Sequence, residues 1–448
     1  MNEQQEQKFV RMTTAPVEHL VYEMAVPTIV SMMVTACYNM ADTFFVGKIN
    51  NSATGAVGVA FSLMAIIQAA GFFFGHGSGN YISRKLGQQE TENAAKMAAT
   101  GFFLSLLTGL LITLIGEIFL SPLARLLGST ETILPYARSY LRLILIGAPY
   151  MTASFVLNNQ LRFQGSAIYG MVGIVAGAVL NVGLDPFFIF VLGMGVGGAA
   201  LATIISQLCS FVLLLVGCSR GGNLKIRVKN VTMSRPYLRE IVKGGLPSLC
   251  RQGLASIATI CLNRGAGWYG DAAVAAMSVV SRAMYLAQAV LIGFGQGFQP
   301  VCGFNYGAFL YDRVKKAYWF CIKVSTVFLA VVSVAGFLFA PEIVGFFRND
   351  PDVIAFGASA LRLQCCTFFL CGFNMMSSML TQTINKVREA TVLAMARQGL
   401  FFIPAVLILP QFIGALGIQL AQPLSDVCAF LLTVPLTRRV LREMRSAQ

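Results

Sequence analysis

Four polar side chains set in apolar surroundings carry the chemistry of this chain: Asp42, Asn181, Asp185 and Thr203. Asn181 and Asp185 are four residues apart, and Asn39 and Asp42 three apart, so on helices each pair shares one face. A carboxylate at mid-bilayer costs about 2.5–3.5 kcal/mol on an insertion scale, and such residues usually mark an ion path, a proton relay or a substrate site. Two carboxylates held together in low dielectric cannot both be charged cheaply. Their oxygens, with an amide and a hydroxyl, suit a shared proton or a hard monovalent cation. Asp42, Asn181, Asp185 and Thr203 are therefore the expected cation-coupling set, loaded by H+ or by Na+. Asp42 and Asp185 each also fit a structural hydrogen-bonding role near a helix end, Asp185 because Pro186 and a Gly-rich turn follow it.

The elements that hold these residues are membrane spans. The 448 residues are 56% hydrophobic and 12% charged, with a mean hydropathy of +0.69, whereas soluble domains carry about 25% charged residues. Apolar runs of about 20 residues, enough to cross the hydrocarbon core, recur throughout. Twelve spans are expected, at 20–47, 53–80, 94–119, 138–161, 167–190 and 195–217, then 239–268, 272–300, 315–339, 355–381, 390–411 and 413–436. The tail 1–18 is polar and has no cleavable apolar region, so the first apolar run is expected to remain as a span.

The two sets of six repeat. An offset of 220 pairs Pro27 with Pro247, Gly47 with Gly267, Gln68 with Gln288, Gly77 with Gly297, and Leu141-Arg142-Leu143 with Leu361-Arg362-Leu363. Near the end the offset slips to 219, pairing Ser206 with Ser425 and Cys209 with Cys428. Six helices per copy give both copies the same orientation, a parallel-repeat transporter design with substrate bound near the midplane. The fold expected is an all-α membrane protein: twelve transmembrane helices in two six-helix lobes related by a pseudo-two-fold along the membrane normal. The expected segments are a cytoplasmic tail (1–18), an N-lobe (19–217), a cytoplasmic linker (218–238), a C-lobe (239–437) and a cytoplasmic basic tail (438–448).

The net charge of +14 would suggest nucleic acid in a soluble protein. Here its placement argues for topology. With a cytoplasmic N-terminus, about 22 of the 33 Lys and Arg residues face the cytoplasm and about 5 face outward. Both termini are then cytoplasmic, lipid is the charged partner, and no nucleic acid is expected.

The second copy does not repeat the acids. Leu262 and Phe401 stand at the positions matching Asp42 and Asn181, and Asp426 is its only acid away from a span end. Pro27 is the expected hinge, a bend answering protonation of Asp42, although an early helix proline is also ordinary. Asn39, Asn158, Asn159, Met33 and Gln68 are the expected substrate-cavity residues. Asn158 and Asn159 equally fit a helix interface, and Met residues equally fit plain packing. Arg142, Arg251, Arg282, Lys323, Arg362 and Arg397 lie in or near spans and are expected mostly to snorkel or pair with backbone. No phosphate-binding loop and no nucleophile–base pair is present, so neither direct use of ATP nor enzymatic chemistry is expected. No cofactor is expected. The eleven cysteines contain no C-x-x-C pair and read as small buried hydrophobes.

Several stretches together resemble one family. Asn181-Val-Gly-Leu-Asp185-Pro186 with Gly195-Val-Gly-Gly-Ala-Ala-Leu-Ala-Thr203-Ile-Ile-Ser206-Gln207, Asp42-Thr43-Phe44-Phe45-Val46-Gly47, and Leu161-Arg162-Phe163-Gln164-Gly165 resemble motifs of the MATE (multidrug and toxic compound extrusion) transporters. The resemblance spans nearly the whole chain and favours the DinF-like branch. It implies secondary drug efflux driven by H+ or Na+. It also implies an ion site at Asp42, Asn181, Asp185 and Thr203, and a bending proline at Pro27. Acids used by other branches in the seventh, eighth and tenth helices are missing here.

The resulting expectation is a cation-coupled multidrug antiporter in a bacterial inner membrane, a monomer, exporting amphipathic and often cationic organic compounds by alternating access. The alternatives are a lipid-linked oligosaccharide flippase of the same superfamily and, from another class, a membrane-embedded transferase. The flippase would need a broad basic cavity, and the transferase a catalytic constellation.

Overall fold

The computed structural model describes residues 3–446, and every regular element among them is helical. In chain order these are α1 (Glu3–Thr14), α2 (Val17–Gly47), α3 (Asn51–Gly87), α4 (Thr91–Ile118), α5 (Leu120–Leu126), α6 (Leu134–Phe163), α7 (Ala167–Pro186) and α8 (Gly195–Cys218). The second series is α9 (Arg235–Gly267), α10 (Asp271–Gly307), α11 (Tyr311–Leu338), α12 (Ala340–Phe347), α13 (Pro351–Cys365), α14 (Leu370–Thr383), α15 (Val387–Met395), α16 (Ile403–Ile413) and α17 (Ala415–Ser446). A π-helical stretch, Phe187–Val191, continues α7, and another, Ala396–Phe402, joins α15 to α16.

The repeat read from the sequence governs these boundaries. α3 and α10 have the same length, as do α4 and α11, and the starts of each pair keep the register of the sequence repeat: Asn51 with Asp271, Thr91 with Tyr311. The turns repeat as well: Gln89 and Phe309 take positive φ, at 61° and 60°. Among the described residues ten helical segments are long and apolar enough to cross a membrane, and α13 with α14, bent by 58°, form an eleventh. α9 makes the twelfth long element. Its 33 residues span about 50 Å at 1.5 Å per residue, but Arg239, Glu240, Lys243, Arg251 and Arg264 make it polar. The chain is a multi-pass membrane protein. Leu107, Leu110, Leu111, Leu114 and Ile115 of α4 stand exposed, as a lipid-facing helix requires.

The chain forms two compact units. The first holds residues up to Ala15 and Val26–Gly245; the second holds Pro16–Ala25 and everything from Leu246. The interlobe stretch 218–238 thus folds with the first unit. The opening turns of α2 belong to the second unit, and those of α9 to the first. Both divisions fall just before the matched prolines, Pro27 and Pro247. Glycine permits each exchange. A Cβ on Gly77 of α3 would overlap the Ile241 carbonyl of α9, and one on Gly297 of α10 would overlap the Ala25 backbone of α2.

Within the first unit α6 is central, packed on α3, α4, α7 and α8. Gly71, Gly75 and Gly79 of α3 form a row against Phe155, Asn159 and Phe163 of α6, all at four-residue spacing. Small residues let helices approach closely where lipid supplies no hydrophobic driving force. This close seam, with α7 and α8 also packed on α6, fixes the walls around the N-lobe polar residues.

Candidate functional site

Asp42 on α2, Asn181 and Asp185 on α7, and Thr203 on α8 are all buried, with Asp185 fully inaccessible. Three helices bring them into one neighbourhood of the first unit. The Tyr140 hydroxyl of α6 donates to Asp42 Oδ2 at 3.3 Å, and Asn181 Nδ2 donates to Thr203 Oγ1 at 3.5 Å. Thr203 passes its own hydrogen to the Ala199 carbonyl at 3.0 Å, leaving its oxygen facing the site. The Asp42 and Asp185 carboxyls adjoin each other. Pro186, which has no N–H, follows Asp185 at once, and the helix widens to π geometry at Phe187.

The decisive feature is what these oxygens lack. Among the described residues no donor reaches Asp42 Oδ1, Asn181 Oδ1, Ser206 Oγ or either oxygen of Asp185. Buried carboxylates elsewhere in proteins are paired or ligate a cation. Among the described residues no Lys or Arg forms an ion pair with either Asp. A cavity of about 60 Å³ adjoins the group, lined by Tyr38, Asn158, Asn181, Thr203 and Ser206 among others. It has room for a few waters and falls far short of the roughly 300 Å³ that a drug-sized ligand needs. The donor set of carboxylate, amide and hydroxyl oxygens suits a proton or a hard cation and does not suit a soft metal.

Of the expected substrate-cavity residues, Asn158 lines this cavity. Asn159 turns away: its oxygen accepts from Arg162 at 2.7 Å, its nitrogen donates to Phe155 O at 2.7 Å, and Arg162 also meets His76. Asn39, Met33 and Gln68 are half-buried and outside the lining. Pro27 sits inside α2, which runs unbroken past it, and Ser31 Oγ bonds the Pro27 carbonyl at 2.9 Å. Sequence reasoning missed Tyr140. It lies 98 residues from Asp42, on a different helix, so no spacing could reveal the contact.

The second unit treats its acid differently. Asp426 is buried and fully engaged: Arg397 Nε donates to it at 2.7 Å, Gln422 Nε2 at 3.0 Å and Thr367 Oγ1 at 3.4 Å. The Gln288 amide, with its oxygen turned toward Arg397, accepts from both Nη atoms at 3.1 and 3.2 Å. Arg397 therefore neither snorkels nor relies on backbone. It lies in the π-helical stretch and pairs with a buried carboxylate. Arg251 bonds side chains too, Ser378 Oγ at 3.1 Å and Gln382 Oε1 at 3.4 Å. Arg362 does bond backbone, its Nε donating to the Phe337 carbonyl at 3.2 Å. A cavity of about 340 Å³ opens beside Arg251 and Arg397.

Comparison with known proteins agrees with this architecture. The MatE family profile matches residues 27–187 and 247–407, two stretches displaced by the offset of the internal repeat. The multidrug export protein MepA of Staphylococcus haemolyticus (strain JCSC1435) is 27% identical over 413 residues, covering 91% of this chain and 90% of that protein. Among solved structures, the outward-facing conformation of a multidrug resistance MATE family transporter of the MOP superfamily superposes with a TM-score of 0.90. It is 27% identical and covers 97% of this chain and 99% of the other. A MATE crystallised in a bent conformation gives a TM-score of 0.90 at 26% identity, covering 100% and 99%. Both repeats match the profile and the fold matches end to end: the chain belongs to the MATE family of membrane transporters.

Proposed function

We propose that this chain is a cation-coupled multidrug exporter, in which Asp42, Asn181, Asp185 and Thr203 load H+ or Na+ and thereby bias an alternating-access equilibrium. The observation that carries this reading is the pair of adjoining, buried carboxyls with no cationic partner and with unpartnered oxygens. Such a pair gains most from a proton or Na+ between its oxygens. An ion shifts a conformational equilibrium only by its differential affinity for the two states, and a site that changes geometry with α2 supplies that difference. Pro27 is the proposed bending point, because the division between units falls at Ala25–Val26 beside it. Amphipathic organic compounds are the proposed cargo, exported across a bacterial inner membrane with both termini cytoplasmic. The relatives' multidrug export supports that choice.

The test uses purified protein in liposomes with H+ and Na+ gradients imposed separately. Accumulation of a fluorescent organic cation driven by one of the two gradients is expected. Equal uptake with and without either gradient would overturn the coupling.

A further inference from the structure

The 340 Å³ cavity of the second unit is large enough to enclose a small drug-like molecule. Its wall carries two guanidinium groups, Arg251 and Arg397, and no Asp or Glu lines it among the described residues. The two arginines are not equivalent. Arg397 is neutralised from behind by Asp426, and Gln288 occupies its remaining front. Arg251 has only neutral partners, Ser378 and Gln382, both reached through Nη2. A guanidinium has five N–H donors in a planar fork, so Nη1 and Nε remain to serve an occupant. The cavity wall thus bears one net positive charge inside a membrane protein, where a charge without a partner is costly and marks a ligand path. The lining also carries apolar and aromatic side chains, Leu262, Met277, Met284, Phe402 and Tyr285.

The scaffold does not require this charge. The first-copy positions matching Arg251 and Arg397 are Ser31 and Gly177, and the first unit closes with those small residues. A tie from α9 to α14 through Ser378 and Gln382 would need a donor and no charge.

We infer that this cavity is a binding site for the carboxylate of an amphipathic organic acid or zwitterion, held by the charge and the remaining N–H donors of Arg251, with its aromatic body against the apolar part of the lining. The inference deepens the export reading and rests on it for the occupant's being cargo: the chain would take organic anions and zwitterions as well as cations.

The experiment titrates full-length protein in phosphatidylcholine nanodiscs with dansylglycine and, separately, with its methyl ester. Fluorescence enhancement reports binding. The two probes share their aromatic body and differ in the carboxylate. The acid is expected to bind about tenfold more tightly than the ester, as for a hydrogen bond to a charged group. Arg251→Gln is expected to remove that preference. Arg251→Lys is expected to keep part of it, because the charge stays while the planar donor geometry is lost. Equal affinity for acid and ester in the native chain overturns the inference. So does an unchanged preference in either variant, with Arg251→Lys deciding if Arg251→Gln does not fold. Complete displacement of the acid by millimolar chloride also overturns it, since the site would then hold an inorganic counter-ion. Gradient-driven export of a cationic dye by the native chain reads the export proposal separately. Export without acid preference sinks this inference alone, and acid preference without export keeps the site but removes its role in cargo selection.

Discussion

At the scale of single residues, the three buried spanning acids separate by what they touch. Asp426 receives hydrogen bonds from Arg397, Gln422 and Thr367. Asp185 receives none from the described side chains, and Asp42 receives one, from Tyr140. Under the proposed function, this difference divides a structural acid from the two assigned to the ion. Removing one partner of a buried ion pair leaves a stranded charge and costs about 3–5 kcal/mol. Asp426→Ala should therefore lower thermal stability sharply. Asp185→Asn relieves a crowded pair of carboxyls and should leave the midpoint equal or higher while ending cation-driven transport. Melting of both variants in detergent checks the contrast, and a larger loss for Asp185→Asn would contradict it. The sequence made Asp42, Asn181, Asp185 and Thr203 visible because polar residues stand out in apolar helices. It hid Tyr140 and the Arg397–Asp426 pair, because aromatic and basic residues in spans have ordinary explanations and their partners lie far along the chain.

At the scale of elements, helix boundaries were largely legible. Twelve hydrophobic runs give twelve long helical segments, and the expected edges fall within a few residues of those observed for most of them. Three features were not. The break between α13 and α14 has no Gly or Pro at 366–369, so no residue there signals it. The π-helical stretches change hydrogen-bond register without changing hydropathy. The exchange of the opening turns of α2 and α9 is a tertiary matter, visible only through Gly77 and Gly297. In a helix interior Gly→Ala normally stabilises by about 1 kcal/mol. Here the added Cβ meets backbone, which cannot move aside as a flexible side chain can. Overpacking of this kind costs about 1–3 kcal/mol. Gly77→Ala and Gly297→Ala should each lower the melting midpoint, and a rise in either would show that the close approach is not needed.

The amino-terminal α1 is tied down by one buried amine. Lys8 Nζ donates to Asn223 Oδ1 at 2.7 Å and to Ser166 Oγ at 2.8 Å, and burial lowers its pKa from 10.5 to about 8. Between those two values the docked helix binds fewer protons than the released one. Stability of docking therefore rises with pH across this window and is flat below about 8. Hydrogen exchange of α1 amides, corrected for intrinsic rates, should show greater protection at about pH 9.5 than at about pH 7.5. Protection that falls over this interval would contradict the assignment.

At the scale of the whole molecule, duplication supplied a scaffold and left the chemistry asymmetric. Most helix starts repeat at an offset of 220, yet the first copy carries unpartnered carboxylates and the second carries a guanidinium excess. The scaffold was readable because duplication leaves a register in small residues and prolines. The chemical asymmetry was readable only in part, because a missing acid is visible in a sequence whereas an arginine without an acidic partner is visible only in three dimensions. Gradient-driven accumulation of a fluorescent organic cation in liposomes, compared between the native chain and Asp42→Asn/Asp185→Asn, addresses the first copy's role most directly. The native chain should concentrate the dye under an imposed H+ or Na+ gradient, and the double variant should only equilibrate it. Full concentrative transport by a folded double variant would contradict the proposal that this pair of carboxyls couples the ion to export.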